Sequence, residues 1–591
     1  MLFPLVRRGG LAAGAYGYLA AWLVGFAAPE LRGLWVDAAR PGIKSPAQIS
    51  RLIRDARAAG FNSLFVQVRY NGEAYYPSEL EPRAGEISGG FDPLAEVLKQ
   101  AHDPTTGERL EVHAWLDTVG VWNRRDALPV DPRHVVRAHP EWISRHQHTT
   151  NTGSGLALDP GVPAVQDHLA AIVRELIGRY AVDGLYLEHL HYPADTIPDS
   201  ARAWGFHPRA VERFQRLTGA RQPPRAMDAD WGQFRREQVT AILRRLVLEA
   251  GQVRPSLRIS AGCVTGSAGK PPLRWESTRA FADVFQDWRQ WLREGLLDTA
   301  VLKMYFETSI NPGDWDGWQG FLQANGSARP ATVLLGGEFN RTAEILALFR
   351  GIREAAAASR VVSGMGIFSY AVPASDLSAA KFFAGLTAPP VAADPAALFS
   401  EKATVPDQPW KRAARRGRLL GRAGSAAGGI DGARVELKGR SARSLLADAN
   451  GWFGAVDLPS GDYALRIRAP ETNRLVQVGW VTIGSGATAT PSLMDADADA
   501  DGDGYSNADE LTAGTDPSRA DSRLALGVDL LADRLSLQAR PVTAVRKYAL
   551  ESSPDPAGPW RALTNESSVD GSEAVAPLPQ QTVYFRVRVT Y

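Results

Sequence analysis

The chain has 591 residues, 45% of them apolar, with 66 basic against 65 acidic side chains and a net charge of +1. Such a length exceeds what one hydrophobic core usually fills and predicts about four domains. The balanced charge, with no basic stripe interleaved with aromatics, argues against a nucleic-acid partner. The single cysteine, Cys263, excludes a disulfide framework or a multi-cysteine metal centre within the chain.

At the N-terminus, Arg7 and Arg8 precede an apolar stretch from Leu11 to Phe26, with small residues at Gly25 and Ala27. This is the layout of a secretory signal over residues 1–27. It predicts a periplasmic or extracellular protein with no membrane span after signal cleavage, since the apolar part is short for one.

From 28 to 388, apolar strands alternate with amphipathic helices. "LRGLWVDAA" leads to the helical "SPAQISRLIRDARAAG", then come "NSLFVQVR", a helix from Asp92, and "LEVHAWLD". Val165, Leu169, Ile172, Val173, Leu176 and Ile177 next recur on one helical face after Pro160 and Pro163. That helix delivers the chain to "VDGLYLEHLHYP", an apolar strand that ends in Glu188, His189, His191 and Tyr192. "LRISAGC", "DTAVLKMYF", "ATVLLGGE" and "GMGIFSYAV" follow, each reached through a helical stretch. Eight alternations predict an α/β fold, a (β/α)8 TIM barrel.

Residues 389–416 have linker composition, and 417–493 carry short alternating strands separated by "DANG" and "PSGDY" turns, which predicts a small β-sandwich. The 494–523 spacer contains "DADGDGYSNADE". Here Asp499, Asp501 and Asp503 take the first, third and fifth places of a calcium loop, Tyr505 the seventh through its carbonyl, Asn507 the ninth and Glu510 the twelfth. Hard oxygen ligands at alternate positions wrap one cation, so a structural Ca2+ is expected, remote from the chemistry. Residues 524–591 alternate again and predict a second β-domain.

In a TIM barrel the strand C-termini converge on one face, where sites are assembled. Strand two brings Arg69, Asn71 and Tyr75 there, and strand three brings His113, Trp115 and Asp117, with Asn123 beyond. Strand four adds Glu188, His191 and Tyr192, strand six Tyr305, strand seven Glu338 and strand eight Tyr370. Carboxylates, aromatic rings and hydrogen-bond donors together suit a glycan, whose CH faces stack on rings and whose hydroxyls need fixed polar partners. Glycosidic cleavage commonly uses two carboxyl groups, one protonating the leaving oxygen and one acting as nucleophile or base. Glu188 is assigned as general acid/base, with Glu338 or Asp117 as its partner and the remaining residues as substrate ligands. No cofactor is needed for that chemistry. On an extended chain His189 and His191 share the side opposite Glu188, and His191 is assigned to substrate.

The stretch from "RGLWVDA" through "GIFSYAV" resembles the glycosyl-hydrolase-like family 10. The marks are "FNSLFVQVRYNGEAYYPSELEP", "VHAWLD", "HPEW", "LDPGVPAVQDHL", "YAVDGLYLEHLHYP", "FHPRAVERFQRLTG", "KMYF" and "GIFSY". The resemblance implies a barrel acting on glycans of the cell envelope, peptidoglycan-related strands among them. Three positions depart from the family pattern: Glu188 stands where it has aspartate, His191 where it has arginine, and Lys303 where it has proline. Such changes are expected either to retune the substrate or to leave a catalytically silent glycan-binding or surface-adhesion protein. Through "ADANGWFGAVDLPSGDYALRI" the sandwich resembles carboxypeptidase-regulatory-like or transthyretin-like modules, and "AGTDPSRADS" resembles bacterial thrombospondin-type-3-like repeats. These modules are expected to make cell-wall or surface contacts.

Overall fold

The computed structural model describes residues 29–590 apart from 125–126, 149–154, 194–201, 266–273, 306, 308–312, 326, 359–360, 388–397, 413–414, 426–427, 532–533, 541–546, 564–572, 578 and 580. The expected signal, 1–27, lies outside the described residues.

Eight parallel strands form the first domain: β1 (Leu31–Val36), β2 (Ser63–Tyr70), β3 (Glu111–Asp117), β4 (Gly184–Glu188), β5 (Arg258–Val264), β6 (Thr299–Met304), β7 (Ala331–Gly336) and β8 (Val362–Phe368). Each pairs with its successor, and β8 pairs with β1, so the sheet closes into a barrel. The helices that follow the strands are α1 (Pro46–Ala58), α2 (Pro93–His102), α3 (Pro163–Arg179), α4 (Ala229–Val253), α5 (Trp288–Glu294), α6 (Asp314–Ala324), α7 (Thr342–Ala358) and α8 (Ala379–Thr387). Their starts are written in the sequence. Ser45 and Asp92 accept from the backbone N–H of Gln48 and Ala95, and Pro46, Pro93 and Pro163 occupy first-turn positions where no N–H is needed.

Strand side chains alternate between the helix layer and the interior. Leu185 and Leu187 face the helices, while Tyr186 joins Trp35, Phe65, Trp115, Val301 and Leu334 in the barrel's centre. Glycines make room for these rings. A Cβ at Gly366 would lie 2.2 Å from the Trp35 indole. The next inward layer, at the C-terminal ends, is polar and carries Gln67, Asp117, Glu188 and Lys303.

Residues 398–412 of the expected linker close the opposite end of the barrel. The Glu30 N–H donates to the Thr404 carbonyl (2.9 Å), Arg258 donates to the Pro406 carbonyl (2.9 Å), and the Trp410 indole N–H donates to Asp298 (2.7 Å). Val405 packs against the interior cluster.

Antiparallel sheets build the C-terminal part. One sandwich packs a sheet containing Arg416–Arg422 and Trp452–Pro459 on a second containing Arg434–Gly439, Gly461–Arg468 and Leu475–Ile483. It docks on the barrel's helices: Arg213 pairs with Asp431 at 2.6 Å, the Asn450 amide donates to the Pro163 carbonyl (2.9 Å), and Leu420 and Val456 enter the barrel's core cluster. A last pair of three-stranded sheets includes Arg534–Arg540 and Tyr584–Thr590.

Candidate active site

Glu188 ends β4 directly beside Asp117 at the end of β3. It is 4% exposed. Its Oε1 accepts from the Lys303 ammonium and, at 3.3 Å, from the His189 backbone N–H, while Oε2 accepts from the Tyr186 hydroxyl. Burial alone would push this carboxyl up, but the Lys303 charge, the His189 charge and the hydrogen bonds outweigh it and hold the group down at about 2. Glu188 is therefore a carboxylate across the working pH range. Of the general acid/base role expected for it, the Lys303 pair opposes the acid half. An ionised Glu188 suits a nucleophile, a base or a partner for positive charge at the anomeric carbon.

Close packing fixes the carboxylate. A Cβ on Gly262 of β5 would lie 2.4 Å from Glu188 Oε2 and 2.7 Å from the Tyr186 hydroxyl, so only glycine leaves this space.

Asp117 Oδ1 accepts from the Gln67 amide and the Trp115 indole N–H, both at 3.1 Å. Its Oδ2 faces His189 Nδ1 at 3.4 Å. His189 has φ 52, a left-handed conformation, and that turn breaks the extended alternation expected beyond the strand. The imidazole thus points toward Asp117, with Nε2 4.0 Å from Glu188 Oε1 and 47% of the side chain exposed. The surrounding wall disfavours an imidazolium, but the charge of Asp117 and its hydrogen bond more than reverse this and raise the ring above its ordinary value.

Across the barrel mouth, Glu338 sits in a short turn, Gly337–Phe339, after β7. Its carboxylate takes an ion pair from Arg40 at 2.8 Å, and Arg40 also reaches Ser369 Oγ (3.3 Å) and Asp37 (3.5 Å). Tyr305, stacked on Phe368 with ring centres 5.3 Å apart, lies among these groups. Burial and the charges of Glu188, Glu338 and Asp37 push its phenol well up, so it stays a neutral hydrogen-bond donor.

Other expected ligands lie elsewhere. Arg69 is fully buried, holds Glu81 at 2.6 Å and donates to the Asp117 and Thr118 carbonyls, so it braces the site's backbone from beneath. His113 faces inward at the N-terminal half of β3, stacked on Phe65 at 4.4 Å and within 3.2 Å of Glu111, at the floor. Trp115 occupies the middle layer, donating to Asp117 and packing edge-on against Tyr186 and Phe368. Tyr75 is buried against Glu86. His191 is buried, its Nδ1 2.6 Å from the Tyr192 carbonyl, and burial followed by the Lys303 and His189 charges holds it down at about 3, hence neutral. Tyr192 packs edge-on to Phe285 behind the strand. Tyr370 points into the helix layer, donating to Asp55 (2.8 Å) and stacking on Phe383. Asn71 and Asn123 remain at the rim, paired through their amides at 2.9 Å.

Lys303, His189, Arg40 and Asp37 are the site groups that sequence reasoning left unassigned. The signal for two of them was available: "WVDAAR" puts Asp37 and Arg40 just beyond β1, as Asp117 and Glu188 end their own strands.

A separate cavity of about 1750 Å3 lies between the barrel's closed end and the sandwich. Its charges largely satisfy one another, as in Arg244–Glu294, Arg329–Asp457 and Arg353–Glu30, which makes it an interdomain cleft rather than a reactive centre.

In the spacer, oxygens of Asp499, Asp501 and Asp503 lie within 4.8 Å of one another. Asp501 Oδ2 and Glu510 Oε2 are buried without a hydrogen-bond donor. Converging, unsatisfied hard oxygens fit a Ca2+ ion. Asn507 departs from the expected ligand set, because its amide donates to the Asp495 carbonyl (2.8 Å) and accepts from the Ala500 N–H (3.2 Å). Tyr505 is 58% exposed, which leaves only its backbone for a ligand.

Two comparisons with curated proteins bear on the barrel. The chain is 23% identical over 333 residues to the glycosyl hydrolase YngK of Bacillus subtilis, covering 52% of this chain and 60% of that protein. It is 26% identical over 299 residues to the glycosyl hydrolase DigH of Escherichia coli, covering 47% and 62%. The chain thus spans about 60% of the length of these relatives. Among solved structures it is similar to the PgaB (BpsB) glycoside hydrolase domain from Bordetella bronchiseptica, with TM-score 0.43 and 15% identity over 57% of this chain and 94% of that one. Residues 499–520 match the bacterial TSP3 repeat. Residues 30–343, the barrel through the start of α7, match glycosyl hydrolase-like 10, and the chain belongs to that family.

Proposed function

We propose that the barrel is a glycoside hydrolase cleaving O-glycosidic bonds of a cell-envelope or extracellular polysaccharide, either peptidoglycan-related strands or an exopolysaccharide. Family membership gives the chain a glycosidase-like role. The observation that carries the reading further is the ionised Glu188 at the C-terminal mouth, with Asp117 and His189 beside it and Glu338 and Arg40 across Tyr305. A fixed carboxylate stabilises positive charge as the C1–O bond breaks, and a preorganised charge gains strength where water is excluded. Export by the N-terminal signal and a Ca2+-stiffened spacer would present the barrel at the envelope, with the β-modules making wall or surface contacts.

The Lys303–Glu188 pair favours a second reading. A cation bound to the key carboxylate weakens its attraction for an oxocarbenium centre, and a barrel silenced in this way would retain glycan binding without cleavage. The two readings separate when the protein lacking residues 1–27 and its Glu188→Gln variant are incubated with peptidoglycan strands and exopolysaccharides and products are read by mass spectrometry. Oligosaccharide release by the parent alone supports the hydrolase. Equal binding by both proteins, with no release from any substrate, supports the binding protein.

A further inference from the structure

The hydrolase reading leaves the proton donor unassigned, because Glu188 is held ionised and Glu338 is bound to Arg40. We propose that His189 is the catalytic acid, delivering its Nε2 proton to the leaving glycosidic oxygen while Asp117 holds the ring by Nδ1. This rests on the hydrolase reading of the same site.

Two geometric facts carry it. The ring is half-exposed in a layer where Glu188 and Asp117 are buried, so it is the group best placed to reach substrate. Its Nδ1 faces a carboxylate whose other oxygen is fixed by Gln67 and Trp115, so the remaining nitrogen is oriented. Nε2 and Glu188 Oε1 stand 4.0 Å apart. That gap is about 1 Å shorter than the roughly 5–5.5 Å between nucleophile and acid in retaining glycosidases, so the exposed ring turns outward about its Asp117 contact as substrate enters. The charged and titratable groups around the ring are Asp117 from β3, Glu188 from its own strand, Lys303 from β6 and neutral His191. Lys303 opposes the imidazolium, and the two carboxylates favour it.

The step balances. As the C1–O bond breaks, its electron pair stays on the oxygen, which takes the Nε2 proton and leaves as an alcohol. Glu188 Oε1 bonds to C1, and the neutral imidazole then takes a proton from the water that displaces Glu188. One water is consumed, and both side chains return to their starting states.

The test uses His189→Asn, since asparagine tolerates the left-handed backbone at this position. General acids contribute about 100-fold to 10,000-fold, so kcat on an unactivated glycan is expected to fall at least about 100-fold. An aryl glycoside with an acidic phenol leaving group needs no protonation, and its glycosylation rate is expected to stay within a few-fold of the parent. In the parent, the ring titration followed by NMR is expected above 6.5, and Asp117→Asn is expected to lower it. Equal losses on both substrates, or no loss on either, would overturn the role of His189 while leaving the hydrolase standing. A parent that cleaves neither substrate would overturn the hydrolase reading and this assignment with it.

Discussion

Lys303 and Glu188 form an ion pair inside the barrel, the ammonium 15% and the carboxylate 5% exposed. Removing one partner of a buried pair strands the other charge, at a cost of about 3–5 kcal/mol. Lys303→Met is expected to lower stability by that order. Glu188 lies below its ordinary 4.5, so its contribution in the parent is present above that value and is lost as pH falls through about 2. The variant's deficit should therefore be largest at neutral pH and shrink on acidification, which urea denaturation at pH values on either side of that window measures.

Gly262→Ala probes how closely the carboxylate is held. The new methyl would intrude on Glu188 Oε2 and the Tyr186 hydroxyl, so one of them must move. Overpacking of this kind costs about 1–3 kcal/mol. Turnover is expected to fall by more than glycan affinity does, as paired kinetic and calorimetric titrations would record.

Arg69→Met and Tyr370→Phe separate bracing from binding. Arg69 belongs to a buried pair with Glu81, so its loss should lower the denaturation midpoint by about 3 kcal/mol equivalent. Tyr370→Phe removes a hydrogen bond in the helix layer and should cost about 1 kcal/mol. Glycan affinity should be unchanged in the folded fraction of each, measured by isothermal titration.

Calcium is expected to stabilise the spacer and the sandwich on which it packs, by about 2.7 kcal/mol at a hundredfold excess over Kd. Leu511 of the spacer helix shares a cluster with Val478 of the sandwich, which couples the two. Burial and the charges of Asp501 and Asp503 push Glu510 up to about 7 without metal. For a carboxyl raised in the fold, metal-free stability declines as pH climbs from 4.5 through about 7. The gain from Ca2+ over chelator should therefore be larger above that window than below it, and Glu510→Gln should reduce it. Differential scanning calorimetry reads both effects.

The fold was legible because period and punctuation agreed: the one-face spacing through Val165 and Leu176, the proline starts, and the apolar runs of buried strands all pointed to a barrel. Glu188, Asp117, Glu338 and Tyr305 lie together at the barrel mouth, as their places at strand ends implied. His113 and Arg69 were misplaced because inward direction alone does not tell the floor of a barrel from its mouth, nor a ligand from a brace. His189 was placed at the strand end but on the side away from Glu188 and given no role, because one residue with positive φ reverses the side on which a side chain emerges, and a sequence does not display φ. Lys303 was noted as a departure, yet its effect on Glu188 depends on a contact between strands far apart in sequence.

Whether an ionised Glu188 carries glycosidic cleavage is decided by turnover and binding measured on the same samples of parent and Glu188→Gln. The parent is expected to release shortened oligosaccharides from at least one envelope or exopolysaccharide substrate, while the variant binds that substrate with similar affinity and releases none. Equal release by both proteins would mean that Glu188 is dispensable for cleavage.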